Sequence, residues 1–361
     1  MSYRRTEART AYIEWAKRHA RAKYNLAASG VQGLRLDELP VQWEEIELSA
    51  PGDYGYRPLL ERLAARYGVR PGNVVTAIGT SMANYLAMSA VLEPGDEVVV
   101  EDPAYDPMVE VGHYLGTVVT RIPRRPENNF QVDVNELKKI ISSKTRLIVL
   151  TNLHNPSGVL LEQEALRDIG ELALRVGAHV LVDEVYLELL FDRPFRSAFH
   201  LGEHFIVTSS LTKAYGLSGL RCGWILAAPD LAERMWRHDD LFGNIPAHIT
   251  QLLSVVALDH LGTIRARSKS LLEANWKLLD AFLAEHPELD VARPLGGTII
   301  FPRVPGGDGD IFCTILREKH ETSAVPGRFF GMAERLRIGI GNCSDEVVEG
   351  LRRVSLALKD P

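Results

Sequence analysis

The most informative stretch of this sequence for fold and function is Ser209-Ser210-Leu211-Thr212-Lys213-Ala214-Tyr215-Gly216-Leu217-Ser218-Gly219-Leu220-Arg221. Lys213 has a hydroxyl three residues before it, at Ser210, and a guanidinium eight residues after it, at Arg221. A lysine amine forms an imine with an aldehyde, and a hydroxyl and a guanidinium can hold a phosphate. The stretch suits a ligand that carries both groups. Taken alone, a solvated loop is the simpler interpretation, since the chain has 41 Lys and Arg residues.

The sequence around this stretch alternates short apolar runs with helical patterns. Continuous Val/Ile/Leu runs separated by helices are typical of a parallel sheet covered on both faces. We therefore expect an α/β fold, a three-layer sandwich with a mostly parallel seven-stranded sheet, plus a smaller α+β domain. The predicted strands are residues 74–76, 97–100, 117–120, 146–150, 179–182, 205–207 and 224–226, and the predicted helices are residues 81–92, 107–115, 134–141, 163–176 and 231–237.

A chain of 361 residues is longer than a single core usually supports, which predicts more than one domain. Residues 1–45 form an N-terminal helix and arm that belong to the small domain. Residues 46–250 form the large, ligand-binding domain. Residues 251–361 contain an interdomain helix and the small C-terminal domain, with a helical tract over residues 247–286 and strands near residues 295–301 and 336–340.

Composition restricts the function classes. The net charge of −6 argues against a general nucleic-acid surface, and no apolar stretch approaches the ~20 residues of a membrane helix. Cys222, Cys313 and Cys343 are too few and too scattered for a disulfide framework or a thiolate metal site. Tyr12 and Trp15 belong to an amphipathic N-terminal helix rather than a signal peptide. We expect a cytoplasmic protein.

Chemically distinctive residues follow four of the predicted strands. Ligands of open α/β sheets bind beyond the carboxyl ends of the strands. Gly79-Thr80-Ser81 opens a helix, where backbone N–H groups and the helix dipole favour an anion; a simple helix cap is the alternative. Tyr105, after the second strand, suits stacking on an aromatic ring, and a half-buried loop tyrosine is an equally open interpretation.

The other two strand ends carry an amide and a carboxylate. Asn155-Pro156-Ser157-Gly158 is a turn by composition, and its asparagine can aim an amide N–H at a phenolate oxygen. Asp183 ends an apolar strand, where a buried carboxylate needs a partner. A protonated pyridine nitrogen is such a partner, and Tyr186 can reach the same side.

The motifs follow one another in the order Gly-Thr-Ser, Pro-x-Tyr, Asn-Pro-Ser-Gly, Asp-x-x-Tyr, Ser-x-x-Lys and Arg. With this order of motifs, the chain resembles fold-type I pyridoxal-phosphate enzymes of the class I/II aminotransferase family. Leu336-Arg337-Ile338-Gly339-Ile340 resembles the family's closing motif. The resemblance implies that Lys213 forms the imine with pyridoxal 5′-phosphate and that Asp183 pairs with the ring nitrogen. It assigns the ring hydroxyl to Asn155 and Tyr186, the ring face to Tyr105, the phosphate to Thr80, Ser81, Ser210 and Arg221, and the substrate to Arg337, Asn155 and Gly30.

The family also implies a reaction and a partner. We expect transamination between an L-α-amino acid and a 2-oxo acid, with a carbon–sulfur β-lyase or other non-transaminating chemistry as the alternative. A homodimer is expected, in which Tyr54, or Tyr56 as the second choice, reaches the phosphate of the partner subunit.

Other features receive simpler interpretations. His200-Leu201-Gly202-Glu203-His204 resembles a zinc-protease pattern, but its glycine and the strand that follows argue against a metal site. Arg124 and Arg125 are interpreted as a solvated turn. Thr298, Phe329 and Trp43 are candidates for the substrate pocket. Arg35, Arg57 and Arg328 are possible ligands of a second substrate carboxylate, but the sequence does not place them.

Overall fold

The structure is a computed structural model that describes residues 9–49, 52–194 and 196–359. Its helices are α1 (Ala11–Arg18), α2 (Arg57–Tyr67), α3 (Gly79–Val91), α4 (Asp106–Tyr114), α5 (Val134–Ile140), α6 (Gln163–Val176), α7 (Pro229–Asp239), α8 (His248–Asp259), α9 (Leu261–Glu285), α10 (Gly309–His320) and α11 (Ser344–Ala357). Its strands are β1 (Tyr24–Asn25), β2 (Val74–Ile78), β3 (Glu97–Asp102), β4 (Val118–Pro123), β5 (Thr145–Thr151), β6 (His179–Asp183), β7 (Phe205–Ser210), β8 (Cys222–Leu226), β9 (Ile299–Ile300), β10 (Thr322–Ser323), β11 (Val325–Pro326) and β12 (Leu336–Gly339).

The predicted central sheet is confirmed. It has seven strands in the order β2-β8-β7-β6-β5-β3-β4. Strand β8 runs antiparallel to both of its neighbours, and the other pairs are parallel. The apolar run at the centre of β6 is fully buried, because helices cover both faces of the sheet.

Alternate residues of each strand face two separate apolar layers. On one face, β6 presents Leu181 to the layer that contains α3, α4 and α7. On the other face, Val180 and Val182 join the layer that contains α2, α6 and the start of α9. This alternation follows from the pleat of a strand. The result is the three-layer sandwich that the sequence predicts.

A smaller unit is built on the C-terminal third of the chain. Strands β11, β12 and β9 form an antiparallel sheet in that order, and β1 pairs with β10. Its core joins α9, α10 and α11 to Leu26, which follows β1. The predicted helical tract is two helices, because the backbone of His260 leaves the helical range at φ −111° and ψ 16°. The predicted domain boundaries, at residues 45 and 250, stay predictions.

The prediction of a solvated turn is wrong for Arg124. This side chain is fully buried, and its Nη1 donates to Glu101 Oε2 at 2.6 Å. Glu101 also accepts from the backbone N–H of Thr151 at 2.8 Å, so the pair joins the ends of β3, β4 and β5. Burial raises the pKa of Glu101 and lowers that of Arg124. Arg125, in contrast, is half exposed and pairs with Glu136 at the surface.

We predict that Arg124→Met lowers the free energy of unfolding by about 3–5 kcal/mol, because it leaves the Glu101 carboxylate buried without its counter-ion. Urea denaturation measures this change. The matched control is Arg125→Met, one residue further along, which should cost less than about 1 kcal/mol, as for other surface pairs. Equal effects of the two substitutions would contradict the structural role of the buried pair.

Candidate active site

A cavity of about 220 Å3 lies beyond the carboxyl ends of the parallel strands. Strand β8 runs in the opposite direction, so the residue before it reaches the same edge of the sheet. The cavity is therefore where ligands of open α/β sheets bind. Most of the residues predicted from the sequence line it: Thr80, Ser81, Tyr105, Asn155, Asp183, Tyr186, Ser210, Lys213 and Arg221.

Lys213 enters the cavity just after β7. Its Nζ donates to Ser29 Oγ at 2.8 Å. Burial lowers the pKa of the Lys213 amine, and the Tyr12 phenol and the Asp183 carboxylate oppose this effect. Gly30 lies beside the lysine, and a Cβ at that position would be 3.4 Å from both Cα and Cδ of Lys213. Burial therefore makes this amine easier to deprotonate than a solvent-exposed lysine, and the Ser29 hydroxyl holds it in the cavity.

Asp183 ends β6 and is buried, with 4% of its surface exposed. Its Oδ2 accepts from Asn84 Nδ2 at 3.0 Å, and its Oδ1 accepts from the backbone N–H of Val185 at 3.0 Å. Thr208 donates to the amide oxygen of Asn84 and so fixes which end of the amide faces the carboxylate. Burial raises the pKa of Asp183 to about 6, although both hydrogen bonds oppose it. A cation at this position would stabilise the carboxylate.

The N-terminus of α3 and the guanidinium of Arg221 form an anion-binding end. Gly79 has φ +75°, and a Cβ there would overlap the Arg221 guanidinium. The two residues are also joined by the backbone, because Gly79 N–H donates to Arg221 O at 2.7 Å. Thr80 Oγ1 is buried and has no hydrogen-bond partner within the described residues. Free N–H groups at a helix start, a hydroxyl and a guanidinium together suit a phosphate.

Arg337, on β12, approaches the cavity from the smaller unit. Only 1% of its surface is exposed. Its Nη1 donates to Asn155 Oδ1 at 2.8 Å, and its Nη2 donates to Tyr12 Oη at 2.9 Å and to Ala27 O at 3.1 Å. Its Nε has no partner in the described part of the chain. A buried guanidinium without a carboxylate partner suits a ligand that brings a carboxylate.

Comparison with known proteins identifies the family. A family model described as aminotransferase class I and II matches residues 48–354. The chain belongs to this family. It is 31% identical to the capreomycidine synthase of Streptomyces vinaceus over 95% of this chain and 92% of that protein. Among solved structures, it resembles a PLP-dependent aminotransferase from Streptococcus suis 89-1591 with a TM-score of 0.92 and 27% identity over 97% of each chain. It also resembles the PLP-dependent cyclase OrfR with a TM-score of 0.89 and 25% identity over 99% of each chain.

As a member of the aminotransferase class I and II family, the chain uses pyridoxal 5′-phosphate (PLP) as its cofactor. The cavity fits this group. The unpartnered Thr80 hydroxyl lies at the anion-binding end, and Asp183, whose carboxylate is buried, lies where a ring cation would be stabilised. The lack of a side chain at Gly79 lets the Arg221 guanidinium lie against the start of α3.

Some predicted residues lie outside the cavity. Tyr54 is 55% exposed, and its hydroxyl donates to Asp240 Oδ2 at 2.8 Å within the same chain. Tyr56 packs edge-on against His248. A contact of either tyrosine with a partner subunit stays a prediction. Trp43 is 66% exposed, and Phe329 packs against Tyr12.

Eight residues that line the cavity were not predicted from the sequence: Tyr12, Ile13, Ala16, Ser29, Asn84, Thr151, Val185 and Thr212. Asn84 carried a usable signal, because it is a polar residue on the buried face of an otherwise apolar helix. Ser29 and Tyr12 carried none, since their loop and helix reach the cavity only through tertiary packing.

The histidine pattern at residues 200–204 takes part in local packing. His200 Nε2 contacts Tyr67 O at 2.9 Å, while His204 packs against Phe205. Within residues 9–49, 52–194 and 196–359, no cluster of three or more metal-ligating side chains is found. In the same ranges, no helix is long and apolar enough to cross a bilayer.

We predict that Gly79→Ala weakens PLP binding about tenfold or more, since a left-handed backbone disfavours a side chain and the new Cβ displaces the Arg221 guanidinium. Titration of the cofactor-free protein with PLP gives the dissociation constant. Gly72→Ala is the matched control, because a Cβ at Gly72 has no neighbour within 4 Å. Unchanged PLP affinity in Gly79→Ala would show that the phosphate binds elsewhere.

Proposed function

We propose that this enzyme transfers an amino group between an L-α-amino acid and a 2-oxo acid. The observation that carries the proposal is the convergence of Lys213, Asp183 and the Arg337–Asn155 pair on one cavity. These groups can respectively move a proton, hold a ring cation and hold a substrate carboxylate. Transamination requires all three.

Bound PLP supplies an electron sink for the negative charge that develops when the substrate Cα loses its proton. Asp183 supports that sink. Its buried carboxylate accepts hydrogen bonds but forms no ion pair with any basic side chain that the structure describes, and burial raises its pKa to about 6. A protonated ring nitrogen would stabilise the carboxylate, and the carboxylate would in turn keep the nitrogen protonated.

Lys213 is assigned the role of the general base that removes the Cα proton and of the acid that returns it. Burial lowers the pKa of its amine, which increases the fraction of the basic, neutral form near neutral pH. The Ser29 hydroxyl, 2.8 Å from Nζ, holds the amine in the cavity. Gly30 leaves room for the substrate beside the lysine.

The remaining assignments are those that the family resemblance implies, and the position of these side chains at one cavity supports them. Asn155 and Tyr186 would contact the ring hydroxyl, and Tyr105 would cover the ring. Burial raises the pKa of Tyr186 to about 12, so its phenol stays protonated and can donate. Thr80, Ser81, Ser210 and Arg221 would hold the phosphate, and Arg337 would hold the substrate carboxylate.

A second candidate is a non-transaminating reaction on an amino acid. The likeness to a PLP-dependent cyclase over 99% of each chain and to a capreomycidine synthase favours it. A carbon–sulfur β-lyase belongs to the same class, because it also needs no 2-oxo acid acceptor. In each case the same cavity would hold the cofactor, and the reaction would differ after removal of the Cα proton.

We also propose a cytoplasmic homodimer. The support for a dimer is a pair of exposed apolar side chains near α3, the helix whose N-terminus forms the anion-binding end of the cavity. Ile78, which precedes Gly79, is 41% exposed, and Phe242, which packs against Tyr85 of α3, is 54% exposed. A second copy of the chain would bury these residues and bring its Tyr54 near the phosphate.

The two reactions are distinguished by adding one amino acid at a time to the PLP-loaded enzyme without any 2-oxo acid. For transamination, we predict a single equivalent of 2-oxo acid per subunit, after which product formation stops. The cofactor released by acid is then pyridoxamine 5′-phosphate, identified by chromatography. A 2-oxo acid added afterwards regenerates PLP.

The control is the Lys213→Ala enzyme, which should retain PLP through the phosphate contacts but form no product. Product that accumulates over many turnovers without a 2-oxo acid, with PLP recovered unchanged, would reject transamination and support the second candidate.

A further inference from the structure

The segment Ser29-Gly30-Val31 contacts Lys213 through both its side chain and its backbone. Ser29 Oγ accepts from Lys213 Nζ at 2.8 Å, and the backbone N–H of Val31 donates to Lys213 O at 2.9 Å. Between them, a Cβ at Gly30 would be 3.4 Å from both Cα and Cδ of Lys213. A lysine amine is carried on a flexible four-carbon stem, so contacts at both of its ends restrict where the amine can lie. These three residues form a clamp on Lys213.

The clamp is itself held by the smaller unit of the fold. Thr298, which is fully buried just before β9, donates from Oγ1 to Ser29 O at 2.8 Å. The residue after the clamp, Gln32, donates its backbone N–H to Gly341 O at 2.7 Å, just beyond β12. Lys213 belongs to the large sheet, because it follows β7. The clamp therefore fixes Lys213 relative to both units, through contacts within one chain.

The Ser29 hydroxyl also faces the phenol of Tyr186. Burial raises the pKa of Tyr186 to about 12, while the Arg337 charge and a hydrogen bond with the Ser29 side chain oppose that rise. Lys213 Nζ lies 5.9 Å from the centre of the same ring. A serine hydroxyl can donate one hydrogen bond while it accepts another. Ser29 can thus accept from the Lys213 amine and donate to the Tyr186 oxygen, which leaves the phenol proton for a further acceptor.

The position of the Lys213 amine matters for the role that the proposed function gives it. A base removes a proton only within hydrogen-bond reach, about 2.6–3.2 Å between heavy atoms. A misplacement of about 1 Å can lower a rate by roughly a hundredfold. A residue that fixes the amine therefore acts on the rate of proton transfer without contacting the substrate.

We propose that Ser29 is a positioning residue for proton transfer, whose hydroxyl fixes the free amine of Lys213 and links it to the Tyr186 phenol. This inference rests on the proposed function for the role of Lys213 as the base. It applies equally to the second candidate reaction, because both reactions begin with removal of the Cα proton. It adds to the site a residue that acts through Lys213.

The first test follows exchange of the Cα proton in D2O. The PLP-loaded enzyme is given the standard protein amino acids, and mass spectrometry identifies the one that takes up deuterium fastest. With that amino acid, Ser29→Ala should slow exchange about tenfold or more, with little change in KM or in PLP affinity. The rate is measured on the alkaline plateau of the pH profile, where the amine is neutral in every variant, so that the rate reports its position.

Matched variants separate the hydroxyl from the space it occupies. Ser29→Thr keeps the hydroxyl and should restore most of the exchange rate. Ser323→Ala is the control, because Ser323 is a buried serine that donates to Asn25 outside the cavity, and it should exchange at the unaltered rate. Ser29→Gly replaces Ser29→Ala if the latter does not fold. An unchanged rate in a folded variant without the hydroxyl, or an equal loss in Ser29→Thr, would overturn the proposal.

The second test uses the cofactor-free protein and does not depend on the reaction. Acetic anhydride labelling of Lys213 at a series of pH values, quantified by mass spectrometry, gives the pKa of its amine. Ser29→Ala should lower this pKa further, because the ammonium form loses an acceptor, and Ser29→Thr should not. The other titratable and charged groups that face the amine stay the same in all variants: Tyr12, Asp183, Tyr186, Arg221 and Arg337.

The two tests distinguish a failure of this inference from a failure of the proposed function. An unchanged pKa of Lys213 in Ser29→Ala would show that the hydroxyl does not hold the amine, and would overturn the inference whatever the reaction. An unaltered enzyme that exchanges the Cα proton but never produces a 2-oxo acid would reject transamination and leave the effect of Ser29 measurable.

Discussion

The buried carboxylate of Asp183 is the constraint on which the active site depends. It ends β6, whose middle residues are apolar and buried, at the centre of the sheet, where a charge is costly without a partner. Asn84 and Val185 donate to it, yet burial still raises its pKa to about 6. In the proposed function, the protonated ring nitrogen of bound PLP would be the cationic partner of this carboxylate.

The other side chains of the cavity lie at the same edge of the sheet as Asp183. Parallel strands bring their carboxyl ends together, so residues far apart in sequence share one cavity. The buried Glu101–Arg124 pair stabilises this edge of the sheet, because Glu101 also accepts a hydrogen bond from the backbone N–H of Thr151, a residue that lines the cavity. The smaller unit then adds Arg337, and α1 adds Tyr12, whose hydroxyl accepts from Arg337 Nη2.

Much of this arrangement could be predicted from the sequence. The seven strands of the central sheet are confirmed because continuous Val/Ile/Leu runs are specific for buried strands, and polar motifs directly after such strands must reach the sheet edge. Ser29 and Tyr12 could not be predicted, because neither follows a strand of that sheet. Arg124 was misinterpreted because its partner, Glu101, lies 23 residues away in the chain.

The most direct test of the account is reduction of the PLP-loaded protein with borohydride, followed by proteolysis and mass spectrometry. Reduction converts the bond between a lysine amine and the cofactor aldehyde into a stable link. The account predicts a single pyridoxyl group, located on Lys213, and none in Lys213→Ala. A pyridoxyl group on another lysine, or none in a protein that has bound PLP, would contradict it.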